Sequence, residues 1–410
     1  MATQAAPAKP EPIASHAKSS WPCHEPDEIA AVTRVLESGR VNSLVHGDQN
    51  KAFEKEFAEY VGVPFAVAVS NGTVSIELAL RALGVGKGDE VIVPARSFFA
   101  TTSAVVAVGA TPVFAEVEID TQNIDPASVE RVIGERTRAI ACVHLAGQPC
   151  DMDRLCDIAE RHNLLLVEDC AQAHGAMWRG RHVGSFGDAG SFSFCTDKIM
   201  STGGEGGMLV MKDEGVWRRS WAYKDHGKDP IRLKEKSNSA PGEFRYCIDD
   251  FGSNFRLTEM QAAIGRAQLA KLDTWVAQRR ENACALVEEA TKHLAVSSMA
   301  VPDHAFHAFY KCYVLLDLEQ IPSGVTRSDI LVKLMAQGIA CGSGSCPDMS
   351  REGAFSDLEV RRDGDLAASH EMAARTIMFQ VDHTLTREDA AGYGRALVDV
   401  LNSFEDEKAA

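Results

Sequence analysis

The stretch that decides the fold is "AIACVHLAGQPCDMDRLCDIAERHNLLLVED", residues 139–169. It opens on a largely apolar run (139–145), continues through a helical pattern (151–163), and closes on a second apolar run (164–169) that ends in two acids, Glu168 and Asp169. Neither apolar run alternates with polar residues as a half-exposed strand does. Both therefore read as strands buried on two faces, and the segment between them as a helix that covers one of those faces. That unit belongs to a parallel sheet flanked by helices.

The same pattern extends in both directions. Upstream, "FAVAVS" (65–70) reads as a strand and "TVSIELALRAL" (73–83) as a helix closed by Gly84. "EVIVP" (90–94), residues 98–108 and "TPVFAEV" (111–117) then read as strand, helix and strand. Residues 97–115 carry no charge, but Gly109, Thr111 and Pro112 interrupt them. They read as a buried helix, a turn and a buried strand rather than a membrane span. Downstream, "GSFSF" and "GGMLVM" supply two further strands. The pattern changes near residue 249. A long helical stretch runs from Leu257 to about Ala295 with a break, followed by "FYKCYVLLDL" and by helices near 327–337 and 365–376.

The expected architecture is α/β. A large domain, residues 21–250, holds a mostly parallel central sheet flanked by helices. A smaller α+β domain covers 251–410, with residues 21–50 packing beside it. Residues 1–20 are rich in Ala, Pro and Ser, lack the apolar centre of a secretory signal, and read as a disordered tail.

Charge narrows the function. Lys and Arg number 42 against 58 Asp and Glu, a net charge of −16. That balance speaks against a nucleic-acid partner and against anionic membranes. A local basic pocket for a small anion remains compatible with it. The eleven cysteines are scattered and form no C-x-x-C. They read as thiols in a reducing cytoplasm, without the paired spacing of a zinc site; no metal is expected.

Four short segments carry chemistry. In "VSNGTVSIELAL" a strand ends, Asn71 and Gly72 turn, and Thr73 opens a helix. The free amides of a helix N-terminus suit an anion, Gly72 lets the backbone come close, and the Thr73 hydroxyl adds a bond. A plain N-cap is the simpler reading of this segment alone. In "VEDCAQAHG", Glu168 and Asp169 end a strand, where open α/β sheets bind ligands, and Gln172 follows within reach. In "RSFFATT", Phe98 and Phe99 start a helix; they suit the core, or the face of a flat ring. In "SFSFCTDKIMSTGGEGGMLV", Lys198 follows Ser193 on a loop rich in small residues. A partly desolvated lysine is a nucleophile for carbonyls, and the glycines permit tight turns. An exposed lysine on a glycine loop is the plain alternative. Together these segments offer a phosphate cradle, an aromatic plate, an acid and a lysine. Those match the phosphate, flat ring, basic nitrogen and aldehyde of pyridoxal 5′-phosphate (PLP).

In this order, Asn71-Gly72-Thr73, Asp169-x-x-Gln172, Ser191-Phe-Ser193-Phe with Lys198, Gly204-Glu205-Gly206-Gly207 and "GSNFRLTEMQAAIG" (252–265) resemble the DegT/StrS sugar aminotransferases, which are fold type I PLP enzymes. The resemblance runs from about residue 21 to about residue 400. It implies that Lys198 forms the Schiff base with PLP and shuttles the proton, that Asp169 pairs with the pyridine nitrogen, and that Gln172 bonds the phenolic oxygen. Phe98 would stack on the ring, and Gly72, Thr73 and Ser193 would hold the phosphate. Asn254 would reach the phosphate of a neighbouring subunit, which implies a homodimer with shared active sites. Arg256 beside it would meet substrate or cofactor.

The implied reaction is amino transfer from glutamate or glutamine to a nucleotide-linked keto-sugar in a ping-pong cycle. The basic segment 217–236, with Lys224 and His226 as candidate substrate contacts, can neutralise a diphosphate or simply be a solvated charged loop. The small, polar segment "ACGSGSCPDMSREGAF" (340–355) departs from the aromatic- or histidine-rich loop common in the family, which bears on the substrate. A cyclitol or other cyclic ketone is the alternative acceptor. A non-catalytic PLP-binding regulator of the same fold is the alternative from another class, and the intact lysine, aspartate and phosphate set disfavours it.

Overall fold

The computed structural model describes residues 16–233 and 247–409. In chain order the first strands are β1 (Phe65–Val69), β2 (Glu90–Pro94), β3 (Thr111–Ala115), β4 (Thr137–Val143) and β5 (Leu165–Asp169). Two short strands follow, β6 (Met177–Trp178) and β7 (Arg181–His182), then β8 (Ala189–Ser193) and β9 (Gly207–Met211). The C-terminal part adds β10 (Val296–Ser298), β11 (Ala305–Phe306), β12 (Cys312–Leu316), β13 (Cys341–Gly342) and β14 (Thr376–Phe379).

Seven strands form the central sheet in the order β1-β9-β8-β5-β4-β2-β3. All run parallel except β9, which is antiparallel to both neighbours. The exception has a simple cause. Residues 194–206 contain no helix to carry the chain back across a sheet face, so β9 returns directly alongside β8. Both faces are buried, as the unbroken apolar runs require. Val91, Val93, Ala139, Ala141 and Val167 pack with the helix Gly72–Ala82 on one side. Ile92, Ile140, Cys142 and Leu166 meet Met152, Leu155 and Ile158 of the helix Met152–Arg161 on the other.

The antiparallel sheet β10-β12-β14-β13 packs against the helices Leu272–Ala290 and Arg387–Ala409 around Leu286, Val314, Ile377 and Leu397. The expected break in the long helical stretch falls at Ala270–Lys271. The helix Arg387–Ala409 was not part of the sequence expectation. Residues 217–224, read from their charge as part of a loop, lie in the helix Glu214–Lys224, which Asp213 caps by accepting from the Val216 amide. Residues 234–236 of that basic segment lie outside the described residues.

Residues 1–15 of the expected tail also lie outside the described residues. Residues 16–20 are tied to the C-terminal part. The Tyr393 hydroxyl donates to the Ala17 carbonyl, and the Ser20 amide donates to Thr384 Oγ1. Trp21 packs edge-on against Trp275 and His383. Further on, the helix Pro26–Ser38 packs on the helix Glu259–Leu269, and Lys271 gathers Glu25, Asp27 and Glu28 within 3.0 Å. Among the described residues, no helix is long and apolar enough to cross a membrane. The cysteines are free thiols, and Cys142, Cys150, Cys170, Cys247 and Cys312 are buried.

Candidate active site

A cavity of about 770 Å³ opens where the parallel strands β1, β2, β5 and β8 end, within the range of small-molecule sites. Its lining brings together Gly72, Thr73, Phe98, Asp169, Gln172, Ser193 and Lys198. These positions are spread over 127 residues of sequence and share only their place at or just beyond a strand's carboxyl end.

The turn after β1 is built by close approach. Asn71 is the N-cap of the helix Gly72–Ala82 and accepts from the Val74 amide at 3.0 Å. The helix thus begins one residue earlier than its sequence pattern suggests. The first-turn amides of Gly72 and Thr73 have no acceptor within the helix. A Cβ on Gly72 would lie 2.6 Å from Ser193 Cβ, and one on Gly207 would lie 2.5 Å from the Asn71 carbonyl oxygen. The glycines therefore let β8 and β9 close around the helix N-terminus. In the loop carrying Lys198, Gly203 and Gly204 adopt positive φ (84° and 121°), where a side chain would be strained.

Glu168 and Asp169 are neighbours that face opposite ways, as successive strand residues must. Glu168 belongs to the scaffold. It accepts from the amides of Gly184, Phe186 and Gly187 and contacts buried His144 at 3.2 Å. Burial acts to raise its pKa, but His144 and those amides hold it below the usual carboxylate range. Asp169 faces the cavity and is 5% exposed. It accepts from Thr101 Oγ1 at 2.7 Å and from the Ala171 amide at 3.1 Å. Burial pushes its pKa up despite Thr101, Ala171 and the charge of Lys198. A carboxylate in that position is matched by a cationic N–H arriving from the cavity.

Gln172 accepts from the Ala146 amide at 2.7 Å through its carbonyl oxygen, which leaves its NH2 group as a donor. Phe98 keeps 66% of its surface exposed at the cavity wall, unusual for phenylalanine and suited to covering a flat ring. The helix beyond it, Ala100–Ala107, begins two residues later than expected. Lys198 Nζ donates to the Tyr310 hydroxyl at 3.4 Å and lies 4.7 Å from the centre of that ring. Tyr310 in turn donates to Asp197. Burial would raise the Asp197 pKa, but Lys198, Tyr310 and Lys311 bring it below the usual range.

Four expected residues are not in this lining. Asn254 is exposed and pairs with Asp225 by a backbone bridge. Arg256 is held 2.8 Å from the buried Asp225 carboxylate. Lys224 lies 3.6 Å from Glu54 and over the Trp221 ring. His226, at positive φ, sits on the adjoining turn, where its amide donates to the Ser253 carbonyl. They cluster around Asp225, with Lys224 buried, outside the cavity lining. Conversely, Thr101, Asp197, Tyr310, Lys311 and Tyr313 shape the site without having been singled out as site residues, and Gly344–Cys346 of the segment 340–355 joins the lining. Thr101 stands three residues beyond Phe98, a spacing that could have drawn attention to it. Lys311 and Tyr313 occupy alternate positions at the start of β12, a period-2 signal of a shared face.

The donor set fits PLP. Gly72 packs so closely on Ser193 that no side chain would fit between them, which sets the Ser193 hydroxyl beside the first amides of the helix, and Asp169 is a buried carboxylate open to a cationic partner. Fold and site define a fold type I PLP-dependent aminotransferase. Residues 22–397 match the DegT/DnrJ/EryC1/StrS aminotransferase family, and the chain belongs to it. Its structure superposes on an aminotransferase from Psychrobacter cryohalolentis with a TM-score of 0.91 at 42% identity, covering 94% of this chain and 99% of that one. GDP-perosamine synthase of Caulobacter vibrioides is 45% identical over 55% of this chain and 58% of its own. The L-glutamine:2-deoxy-scyllo-inosose aminotransferase of Streptomyces fradiae is 44% identical over 65% of this chain and 63% of its own.

Proposed function

We propose that the protein transfers an amino group from glutamate or glutamine to a nucleotide-linked keto-sugar in a ping-pong cycle, in the cytoplasm. The observation that carries this reading is the meeting of Lys198, Asp169, Gln172, Phe98 and the Gly72–Ser193 cradle in one cavity. When bound, PLP supplies an aldehyde that takes up amino groups and a ring that accepts electrons.

The chain's residues then have separate tasks. Lys198 Nζ would hold the aldehyde and, when free of it, would carry the proton between substrate carbon and cofactor carbon. Asp169 holds the proton on the ring nitrogen. The Gln172 NH2 group donates to the phenolic oxygen, and Phe98 covers a ring face. The amides of Gly72 and Thr73, with the Ser193 hydroxyl, receive the phosphate.

Asn254 is exposed and lies outside its own chain's cavity lining, three residues after Phe251, which is 93% exposed. That placement supports a homodimer in which Asn254 reaches the phosphate in the partner's cavity and Arg256, Lys224 and His226 sit near the partner's substrate. A cyclitol acceptor is the second reading, favoured by the likeness to the Streptomyces fradiae enzyme.

An acceptor panel tests the proposal. PLP-loaded protein is incubated with each amino donor and either nucleotide-linked keto-sugars or free cyclic ketones. Amination of a nucleotide-linked keto-sugar is expected; amination of cyclitol ketones alone would reject the sugar reading.

A further inference from the structure

The cavity contains a second lysine. Lys311 lies directly before β12, lines the cavity, and holds its ammonium 4.8 Å from the centre of the Tyr310 ring. Lys198 lies 4.7 Å from the centre of the same ring. The two lysines differ in their other partners. Lys198 donates to the Tyr310 hydroxyl and stands 3.8 Å from Asp197. Among the described residues, the Lys311 ammonium meets no hydrogen-bond acceptor and no carboxylate within 4.0 Å, although it carries three donors.

Its surroundings extend the same feature. Tyr313, two residues on and so on the same strand face, also lines the cavity, and its hydroxyl has no hydrogen-bond partner among the described residues. Behind it lies Arg96, 1% exposed. Its guanidinium donates to Gln122 Oε1 and the Ser345 carbonyl, both neutral, and its Nη2 has no partner among the described residues. A Cβ on Gly344, in the cavity wall, would lie 3.2 Å from that Nη2 and 3.3 Å from the Tyr313 hydroxyl. Among the described residues, none of these donors is hydrogen-bonded to a carboxylate, and Asp197 acts on Lys311 only from beyond ion-pair distance. Buried charge of that kind calls for a counter-charge from a ligand.

Resting on the aminotransferase reading above, we infer that Lys311, with the Tyr313 hydroxyl beside it, is the seat for the carboxylate of the amino donor. The donor's nitrogen must come to the position that Lys198 vacates, and an amino acid's α-carboxylate is only two bonds from that nitrogen. A cation on the ring that Lys198 also touches is suitably close. A nucleotide's diphosphate is a poorer match. The lining carries Asp169, Asp197 and Glu205 against Lys198 and Lys311, an acidic balance that suits one carboxylate better than a multiply charged group. The groups that act on Lys311 are Asp197 and Lys198 from the loop after β8, Arg279 from the helix Leu272–Ala290, and Asp382 after β14. Burial lowers the Lys311 pKa to about 8. Its charge is thus complete below that pH and lost above it.

The test uses PLP-loaded protein and glutarate, a dicarboxylate with no amino group to transfer, titrated by calorimetry. Lys311→Met is expected to weaken glutarate about tenfold or more, the usual consequence of removing a charged donor. It should raise the glutamate concentration needed for the donor half-reaction by a similar factor. Lys311→Arg should restore part of the glutarate affinity. In the wild type, glutarate binding should fall as pH rises through about 8, and in Lys311→Met that dependence should be absent. Unchanged glutarate binding in Lys311→Met overturns the proposal. So does weakened binding of GDP with glutarate unaffected, which would assign the seat to a nucleotide. If Lys311→Met fails to retain the cofactor, the wild-type pH series decides, and pH-independent binding overturns the proposal. Failure of the sugar acceptor reading would appear in the acceptor panel and leave the glutarate result unchanged.

Discussion

Thr101 and Asp169, 68 positions apart in sequence, are joined by a 2.7 Å hydrogen bond from the threonine hydroxyl to Oδ2 of the carboxylate. The bond fixes the acid that ends β5 against the first turn of the helix after Phe98. It leaves the rest of the carboxylate turned to the cavity. Thr101→Val keeps the shape and removes the donor. Turnover is expected to fall roughly tenfold, in line with the loss of a hydrogen bond to a charged group. The fold should persist, as circular dichroism can verify. Unchanged turnover would show that Asp169 needs no such support.

One methyl group on Gly72 would force the helix N-terminus and Ser193 apart. In Gly72→Ala the new Cβ would meet Ser193 Cβ at 2.6 Å and Ser193 Cα at 3.1 Å. Backbone lies on both sides, so relief requires β8 and the helix to part. PLP is expected to bind about tenfold or more weakly, with inorganic phosphate competing less well, because aligned helix amides supply much of an anion site. Equal PLP affinity in the variant would place the phosphate elsewhere.

Much of this arrangement is legible in sequence. The buried strands announce themselves because apolar residues fill both faces, as in "LLLVED", and the glycine, lysine and acid positions follow from what strand ends can bind. Other features depend on contacts that no local pattern records. The reversed direction of β9 follows from the lack of a helix in 194–206, which could have been noticed. Tyr310 and Lys311 enter the site only because β12 of the second sheet is placed against the cavity. The helix Arg387–Ala409 has its apolar positions diluted by charges, and its role shows only through Tyr393, Leu397 and Val400 in the second core. The solvated-loop alternative for residues 217–224 rested on charge alone and fails there, because the Asp213 cap decides for helix.

The amino end of β2 offers a test of stability. Glu90 is 2% exposed at the start of β2 and accepts from Arg136 at 2.7 Å and from Arg361 at 2.5 Å. Burial would raise its pKa, but Arg361 and Arg136 bring it below the usual range. A carboxyl lowered by folding adds stability above its unfolded pKa and loses it as pH falls through the folded value. Glu90→Gln is expected to cost about 1–3 kcal/mol in denaturant unfolding near neutral pH. The gap between wild type and variant should narrow in acid. A gap that stays constant down to acid pH would show that the charge on Glu90 is not what stabilises the contact.

Assembly can be tested by complementation. Asn254→Ala and Lys198→Ala chains should each be inactive or nearly so as homodimers. In mixed dimers one cavity regains both an intact Lys198 and an intact Asn254 from the other chain. Partial activity is expected on mixing. Mixed dimers that form, as native mass spectrometry can show, and yet remain inactive would contradict the shared site.

The central claim is that Lys198 is the residue that binds PLP. Borohydride reduction of the PLP-loaded protein, followed by peptide mass spectrometry, tests it most directly. The reduced cofactor is predicted on the peptide containing Lys198, and Lys198→Ala should lose that label while still retaining PLP through Gly72, Ser193 and Asp169. Label on Lys311, Lys224 or Lys212 in the wild-type protein would contradict the account.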